Sequence, residues 1–353
     1  MKAAVWHAQR DIRIDRVHEP GRPGAGELLL EVALCGICGT DVHEYTHGPN
    51  FLPHDERGNA EPRILGHEFC GTVLEVGPGV TRARAGDRVT VQPTTSCQQC
   101  RYCREGNTQY CPTAIWVGLG TEWGGLAGRV LLKDYQVHRL PDAVSFEQAA
   151  LVEPATVTMQ AVTRGGVKAG DVVLVTGGGP IGQLVVLSAR AAGAREVYLS
   201  EVVPGRRELA VQNVAPTRAI DPSVESVPEA LRAATDGFGA DVAIEASGHF
   251  NGLRDALDAT RRDGTVVQVA IIPRPVTITP NVDLTIPGKR LIGSLSYTAR
   301  DYERVLGLMA EGRYPAERLI TSQIPLEDVV ELGLDALARP DTRDVKILVR
   351  PND

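Results

Sequence analysis

The chain has 353 residues, 43% of them apolar and 23% charged, with a formal net charge of −7. That length exceeds what a single core usually serves, so two domains are expected, and the ordinary composition excludes a disordered or fibrous chain. Basic residues occur in isolated pairs such as Arg206–Arg207 and Arg261–Arg262, which argues against a nucleic-acid partner or an anionic membrane surface, since both demand a dense basic face.

The opening run MKAAVWHAQRDIR lacks the apolar stretch and small-residue cleavage site of a secretory signal. The most apolar stretch, Val172 to Val186, is broken by Gly177, Gly178, Gly179 and Pro180 and cannot span a bilayer. A cytoplasmic protein without a membrane partner is expected. Through the first 150 residues, short β-branched runs such as LLLEVALCG, GTVLEVGPGV and DRVTVQP are each bounded by Gly, Pro or Asp, the texture of a β-rich domain.

All seven cysteines lie between Cys35 and Cys111. An odd, clustered set reads as metal ligation more readily than as a disulfide framework. Cys38, Thr40 and His43 occur in CGICGTDVH, and His67 and Glu68 in LGHEFCG; singly, each is as ordinary as any buried thiol or surface histidine. Cys97, Cys100, Cys103 and Cys111 follow at C-x2-C-x2-C-x7-C. Four thiolates that close fill a tetrahedral zinc and leave no open position, so the spacing predicts a structural site in a lobe at about 93–115. Iron is the competing metal, because ferredoxin-type clusters also repeat C-x2-C, and on spacing zinc leads.

From about Glu147 the pattern changes to alternating helices and strands, with Glu153 in LVEPATV and strands predicted at Val172–Thr176, Glu196–Glu201, Asp241–Ala246 and Thr265–Ile271. Alternation of this kind implies a parallel sheet built from βαβ units. In VVLVTGGGPIG, Gly177, Gly179 and Gly182 form G-x-G-x-x-G after an apolar strand and before a helix. That context marks a Rossmann dinucleotide site: the glycines allow close backbone approach, and the helix N-terminus at Pro180 and Ile181 offers amides to a pyrophosphate. Glu201 ends the next strand, where an acid accepts from ribose hydroxyls and repels a 2′-phosphate; NAD is favoured over NADP. Arg206 weighs the other way, since an arginine can hold the extra phosphate. After Pro287 a strand over Leu291–Ser296, a helix near Asp301–Glu311 and a closing strand over Val345–Val349 are predicted.

The motifs CGICGTDVH, ILGHEFCG, the cysteine quartet, LVEPATV and GGGPIG, in this order across the whole chain, resemble the zinc-containing medium-chain alcohol dehydrogenases. The opening MKAAVWHAQRDIR, the segment HEYTHGPNFLP and LVEPA resemble the butanediol dehydrogenase branch most. The resemblance implies an α/β two-domain protein: a GroES-like β-rich catalytic domain from 1–154 and 291–353, and a Rossmann NAD-binding domain over 155–290. It implies two zinc ions per chain. Cys38, His67 and Glu153 would hold the catalytic one, with Glu68 an alternative ligand or nearby base, and one position stays open for the substrate oxygen, whose pKa the Lewis acid lowers. By the same resemblance Thr40 and His43 relay the alcohol proton outward, a task suited to a group titrating near neutrality. Arg206 lies beside the adenosine ribose, and Val269, Ala270, Ile271, Ser294, Leu295 and Ser296 line the nicotinamide.

Ser296 stands where sorbitol-type members carry an arginine, followed by a retained Tyr297, which argues against a sugar-alcohol pocket. The reading is reversible oxidation of a secondary alcohol or vicinal diol with NAD, by a homodimer or homotetramer. A larger polyol, sugar or aminocyclitol ring is the alternative substrate, and a non-catalytic zinc-stabilised NAD sensor is the alternative class. Cys35 and Cys70 match no ligand position and are expected to pack.

Overall fold

The structure, a computed structural model, describes residues 1–56 and 58–353. The chain divides into two compact units: residues 1–153, 298–311 and 320–353 form one, and residues 154–297 with 312–319 the other. Residues 291–297, expected in the catalytic part, fall with the second unit. The cause is pairing: Arg290–Gly293 adds in parallel to Thr260–Gln268 as the edge of the second unit's sheet.

The first unit is built on antiparallel pairing. The strand Glu27–Gly36 alternates buried and exposed positions at its start and then becomes wholly buried, because it lies centrally, between Glu68–Val76 and Lys346–Arg350, with Arg129–Lys133 also pairing with it. Leu28, Leu30, Val32, Cys35, Phe69, Val89, Val91, Ile347 and Val349 join one core. Cys35 and Cys70 are fully buried free thiols, and Cys70 Sγ donates to the Phe146 carbonyl at 3.2 Å. The helix Gly39–His47 follows the central strand of this β-rich unit. The Asp41 side chain starts it by accepting from the Cys38 amide at 2.9 Å, so an N-terminal donor is satisfied and an acid sits at the positive end of the helix.

The second unit holds a six-stranded sheet in the order Arg218–Ile220, Glu196–Ser200, Val172–Thr176, Ala240–Glu245, Thr260–Gln268, Arg290–Gly293. Every pairing in it is parallel, and Val172–Thr176 is buried at all five positions, as a strand covered on both faces must be. The last predicted strand in this group ends at Gln268, so Val269–Ile271 lie beyond the sheet's carboxyl edge. Among the described residues no helix is long and apolar enough to cross a membrane.

Candidate active site

The cysteine lobe is the simplest site. The ligand atoms of Cys97, Cys100, Cys103 and Cys111 lie within 4.8 Å of one another. Cys97 Sγ is 3.9 Å and Cys100 Sγ 3.5 Å from Cys103 Sγ. Zinc–sulfur bonds near 2.3 Å give a tetrahedral edge of about 3.8 Å, so the sulfurs fit a metal and are too far apart for disulfides. The backbone bends around them: the Cys100 amide reaches Cys97 Sγ at 3.3 Å and the Cys97 amide reaches Cys111 Sγ at 3.5 Å. That amide, with the Thr113 hydroxyl, lowers the Cys111 thiol to about 6, whereas burial raises Cys103 to about 11.

A second cluster gathers Cys38, His67 and Glu68, whose ligand atoms also lie within 4.8 Å of one another. Two strands and a helix start bring them together, and a third strand adds Lys346. Gly36 pairs with Glu68 across one ladder and with Leu348 across the next, which sets Lys346 at the end of its strand beside Glu68. Lys346 Nζ donates to Glu68 Oε2 at 2.5 Å and to the Ile37 carbonyl at 3.1 Å. Glu68 Oε1 is buried without a hydrogen-bond partner. Asp41, fully buried, accepts from the Gly66 amide at 3.3 Å, and its Oδ1 lies 3.4 Å from His67 Nδ1. A carboxylate behind one ring nitrogen leaves Nε2 as the nitrogen available to a metal, the usual second-layer arrangement around ligating histidines. A thiol, an imidazole and an orphaned carboxylate oxygen, all converging, fit a borderline divalent ion such as zinc.

Thr40 is beside this trio, its Oγ1 3.7 Å from Cys38 Sγ. His43, one turn further along the helix, is exposed. Glu153 is buried in the first turn of the helix Val152–Gly165 but lies outside the trio; its carboxylate is close enough to favour the Lys346 ammonium. Sequence reasoning missed Asp41 and Lys346. Asp41 carried a local signal, an acid three residues after Cys38 at a helix start; Lys346 carried none.

The second unit offers a cavity of about 660 Å³ at the carboxyl edge of its sheet, lined in part by Gly177, Gly179, Glu201, Arg206, Ser247 and Arg254. Gly177 turns at φ +97°, and a Cβ on Gly182 would lie 1.8 Å from the Gly177 carbonyl, so both positions require glycine. Pro180 opens the helix Pro180–Ala191 with Ile181 and Gly182 in its first turn. Glu201 is fixed by two amides, Gly178 onto Oε2 and Val203 onto Oε1, each at 2.7 Å. Arg207, adjacent to Arg206, is committed elsewhere, to the Glu201 carbonyl and to Asp221.

Val269, Ala270, Ile271, Ser294, Leu295 and Ser296 are not in that cavity's lining. They follow the last two strands: the Val269 and Ala270 amides reach the Glu245 carbonyl at 3.0 and 3.2 Å, and the Ser294 amide reaches Gln268 at 2.9 Å. Ile271 and Leu295 are exposed, while the Ser294 and Ser296 hydroxyls are buried without partners. Glu245, fully buried, accepts from the Ser247 and Gly248 amides at 2.7 and 3.0 Å and from Gln268 Nε2 at 2.6 Å.

Two family models match the chain: an alcohol dehydrogenase GroES-like domain over residues 24–142 and a zinc-binding dehydrogenase domain over 180–311. The chain belongs to the zinc-containing medium-chain alcohol dehydrogenases, oxidoreductases acting on CH–OH with a nicotinamide cofactor. Within that family it is 40% identical to (R,R)-butanediol dehydrogenase of Bacillus subtilis (strain 168), with the whole of both chains aligned. It is 31% identical to sorbitol dehydrogenase of the same organism, over 100% of this chain and 98% of that one. Its fold matches the crystal structure of 2R,3R-butanediol dehydrogenase from Bacillus subtilis, TM-score 0.90 at 39% identity, covering 99% of each chain. It also matches a zinc-binding dehydrogenase from Sinorhizobium meliloti bound to NADP, TM-score 0.88 at 33% identity, again over 99% of each.

Proposed function

We propose that the protein reversibly oxidises a secondary alcohol or vicinal diol of the 2,3-butanediol kind to the ketone, passing hydride to NAD, with two zinc ions per chain. The convergence of Cys38, His67 and Glu68, with an orphaned carboxylate oxygen among them, carries the chemistry; the 40% identity to a butanediol dehydrogenase narrows the substrate. Zinc held there supplies Lewis acidity that lowers the pKa of an alcohol, and the cysteine quartet holds a second ion structurally.

The chain's own residues do the rest. Asp41 lies behind the His67 ring, and Lys346 ties Glu68 Oε2 while Oε1 stays without a partner. Glu153 stands behind as the alternative carboxylate. Thr40 would take the proton from the alcohol oxygen and His43, at the surface, would give it to water; a bound nicotinamide would supply the acceptor for the hydride of the carbinol carbon, so that alcohol and NAD balance with ketone, NADH and a proton. Glu201 supports NAD over NADP, because an anchored carboxylate repels a 2′-phosphate. A dimer or tetramer in the cytoplasm belongs to the same reading: Val282, Ile286 and Leu295, before and after the edge strand Arg290–Gly293, expose apolar side chains.

A screen of 2,3-butanediol stereoisomers, sorbitol, inositols and simple secondary alcohols, followed by NADH absorbance, tests this. Turnover with a vicinal diol at the highest kcat/KM is expected. Preference for sorbitol or a cyclitol would move the substrate to a larger polyol, and no turnover with any of them would favour a non-catalytic sensor.

A further inference from the structure

The helix Gly39–His47 carries a pair of histidines that the trio does not use. His43 and His47 are four residues apart and both exposed, so they share one face one turn apart. Their ring centroids are 6.0 Å apart with planes inclined at 37°. Two imidazoles on one tetrahedral ion, with metal–nitrogen bonds of 2.0–2.1 Å, place their centroids about 5 Å apart. A modest side-chain rotation of either exposed ring closes the difference.

A separate observation fixes which nitrogen is presented. Thr46 Oγ1 has one hydrogen and gives it to the Val42 carbonyl at 2.7 Å. Its 2.7 Å contact with His47 Nδ1 must therefore run from the ring N–H to the hydroxyl oxygen. His47 is thereby held in the tautomer whose Nε2 carries the lone pair, as the outer partners of ligating histidines do. Competing anions are engaged elsewhere: the Glu44 carboxylate accepts from the Asn50 and Phe51 amides, and Asp41 from those of Cys38 and Gly66.

We propose that His43 and His47 form a surface chelate for one divalent transition-metal ion, separate from the cysteine quartet and from the Cys38–His67–Glu68 trio. Two imidazoles with water in the remaining positions select Zn²⁺, Ni²⁺ or Cu²⁺ over Mg²⁺ and Ca²⁺, which take oxygen ligands. An ion there occupies the His43 nitrogen, and turnover falls as free metal rises. This inhibition rests on the assignment of His43 to the proton route; the chelate itself does not.

The test begins with enzyme carrying its full complement of resident zinc and no free metal, and titrates Ni²⁺ calorimetrically while initial rates are followed in parallel. Resident zinc is measured before and after. One additional Ni²⁺ per chain is expected, bound at least about tenfold more weakly by His47→Gln, with Mg²⁺ giving no binding. The His47→Gln enzyme keeps its metal-free turnover and resists Ni²⁺ that slows the wild type. No additional ion on the wild type, or equal affinity in His47→Gln, overturns the chelate. Binding lost in His47→Gln but without effect on wild-type turnover upholds the chelate and removes His43 from the proton route.

Discussion

Lys346 Nζ lies 2.5 Å from Glu68 Oε2, both side chains almost wholly buried and separated by 278 residues in sequence. Burial works most strongly against the ammonium, but Glu68, Cys38 and Glu153 together outweigh it and hold the lysine above its ordinary pKa. Removing one partner of such a pair strands the other charge, which costs about 3–5 kcal/mol. Lys346→Met is expected to lower unfolding stability by about 3 kcal/mol and to weaken metal retention at the Cys38 trio, read by urea unfolding together with metal analysis. Unchanged stability and unchanged zinc would remove Lys346 from the site.

Glu201 is the acid proposed to set the preference for NAD over NADP. Its two amide contacts fix the carboxylate at the cavity wall that Arg206 shares. Glu201→Ala leaves the arginine facing a 2′-phosphate without the opposing charge. The ratio of kcat/KM for NADP to that for NAD should rise about tenfold, equivalent to about 1.4 kcal/mol. An unchanged ratio would refute the role.

Glu245 ties together the two loops that follow its own strand and the next. Ser247 and Gly248 amides hold one oxygen, while Gln268 Nε2 bridges the other to the Ala270 carbonyl, each at 2.6 Å. In Glu245→Gln, the introduced amide nitrogen opposes the Gln268 donor, and a charge-assisted bond of about 1.5–3 kcal/mol is lost. KM for NAD should rise roughly tenfold with the circular dichroism spectrum preserved, as steady-state kinetics at saturating alcohol would read.

His138 stacks on Tyr302 at 4.7 Å, and burial pushes its pKa down from 6.5 to about 4. The folded state thus holds the ring neutral. Below pH 6.5 the unfolded chain takes up a proton the native state refuses, so stability present above that pH declines as pH falls and levels off below about 4. Between pH 7 and pH 5 the wild type should lose about 2 kcal/mol more than His138→Phe, which keeps the stack without the titration. Parallel denaturation slopes with pH for both proteins would contradict this.

Legibility in the sequence followed the range of the contacts. The cysteine quartet closes within one short lobe and the Gly-rich turn within one strand–helix unit, so spacing and neighbours carried both. Cys38, His67 and Glu68 come together through the ladder that pairs Gly36 with Glu68, which spacing does not encode; only family resemblance pointed to them. Lys346 belongs to the closing strand predicted over Val345–Val349, and nothing near it in sequence marks a buried ammonium. The unit boundary moved from 290 to 297 for the same reason: the affiliation of Arg290–Gly293 is decided by its partner strand, Thr260–Gln268. Resemblance puts Glu153 in the ligand set with Glu68 as the alternative, whereas the geometry groups Glu68 with Cys38 and His67.

The central claim is a zinc held by Cys38 that turns over a vicinal diol with NAD. Metal analysis of wild type and Cys38→Ser, paired with NADH formation from 2,3-butanediol, tests it most directly. Two zinc ions per chain are expected in the wild type, and one in the variant, with NADH formation abolished. A variant that keeps both ions, or that turns over at the wild-type rate, would contradict it.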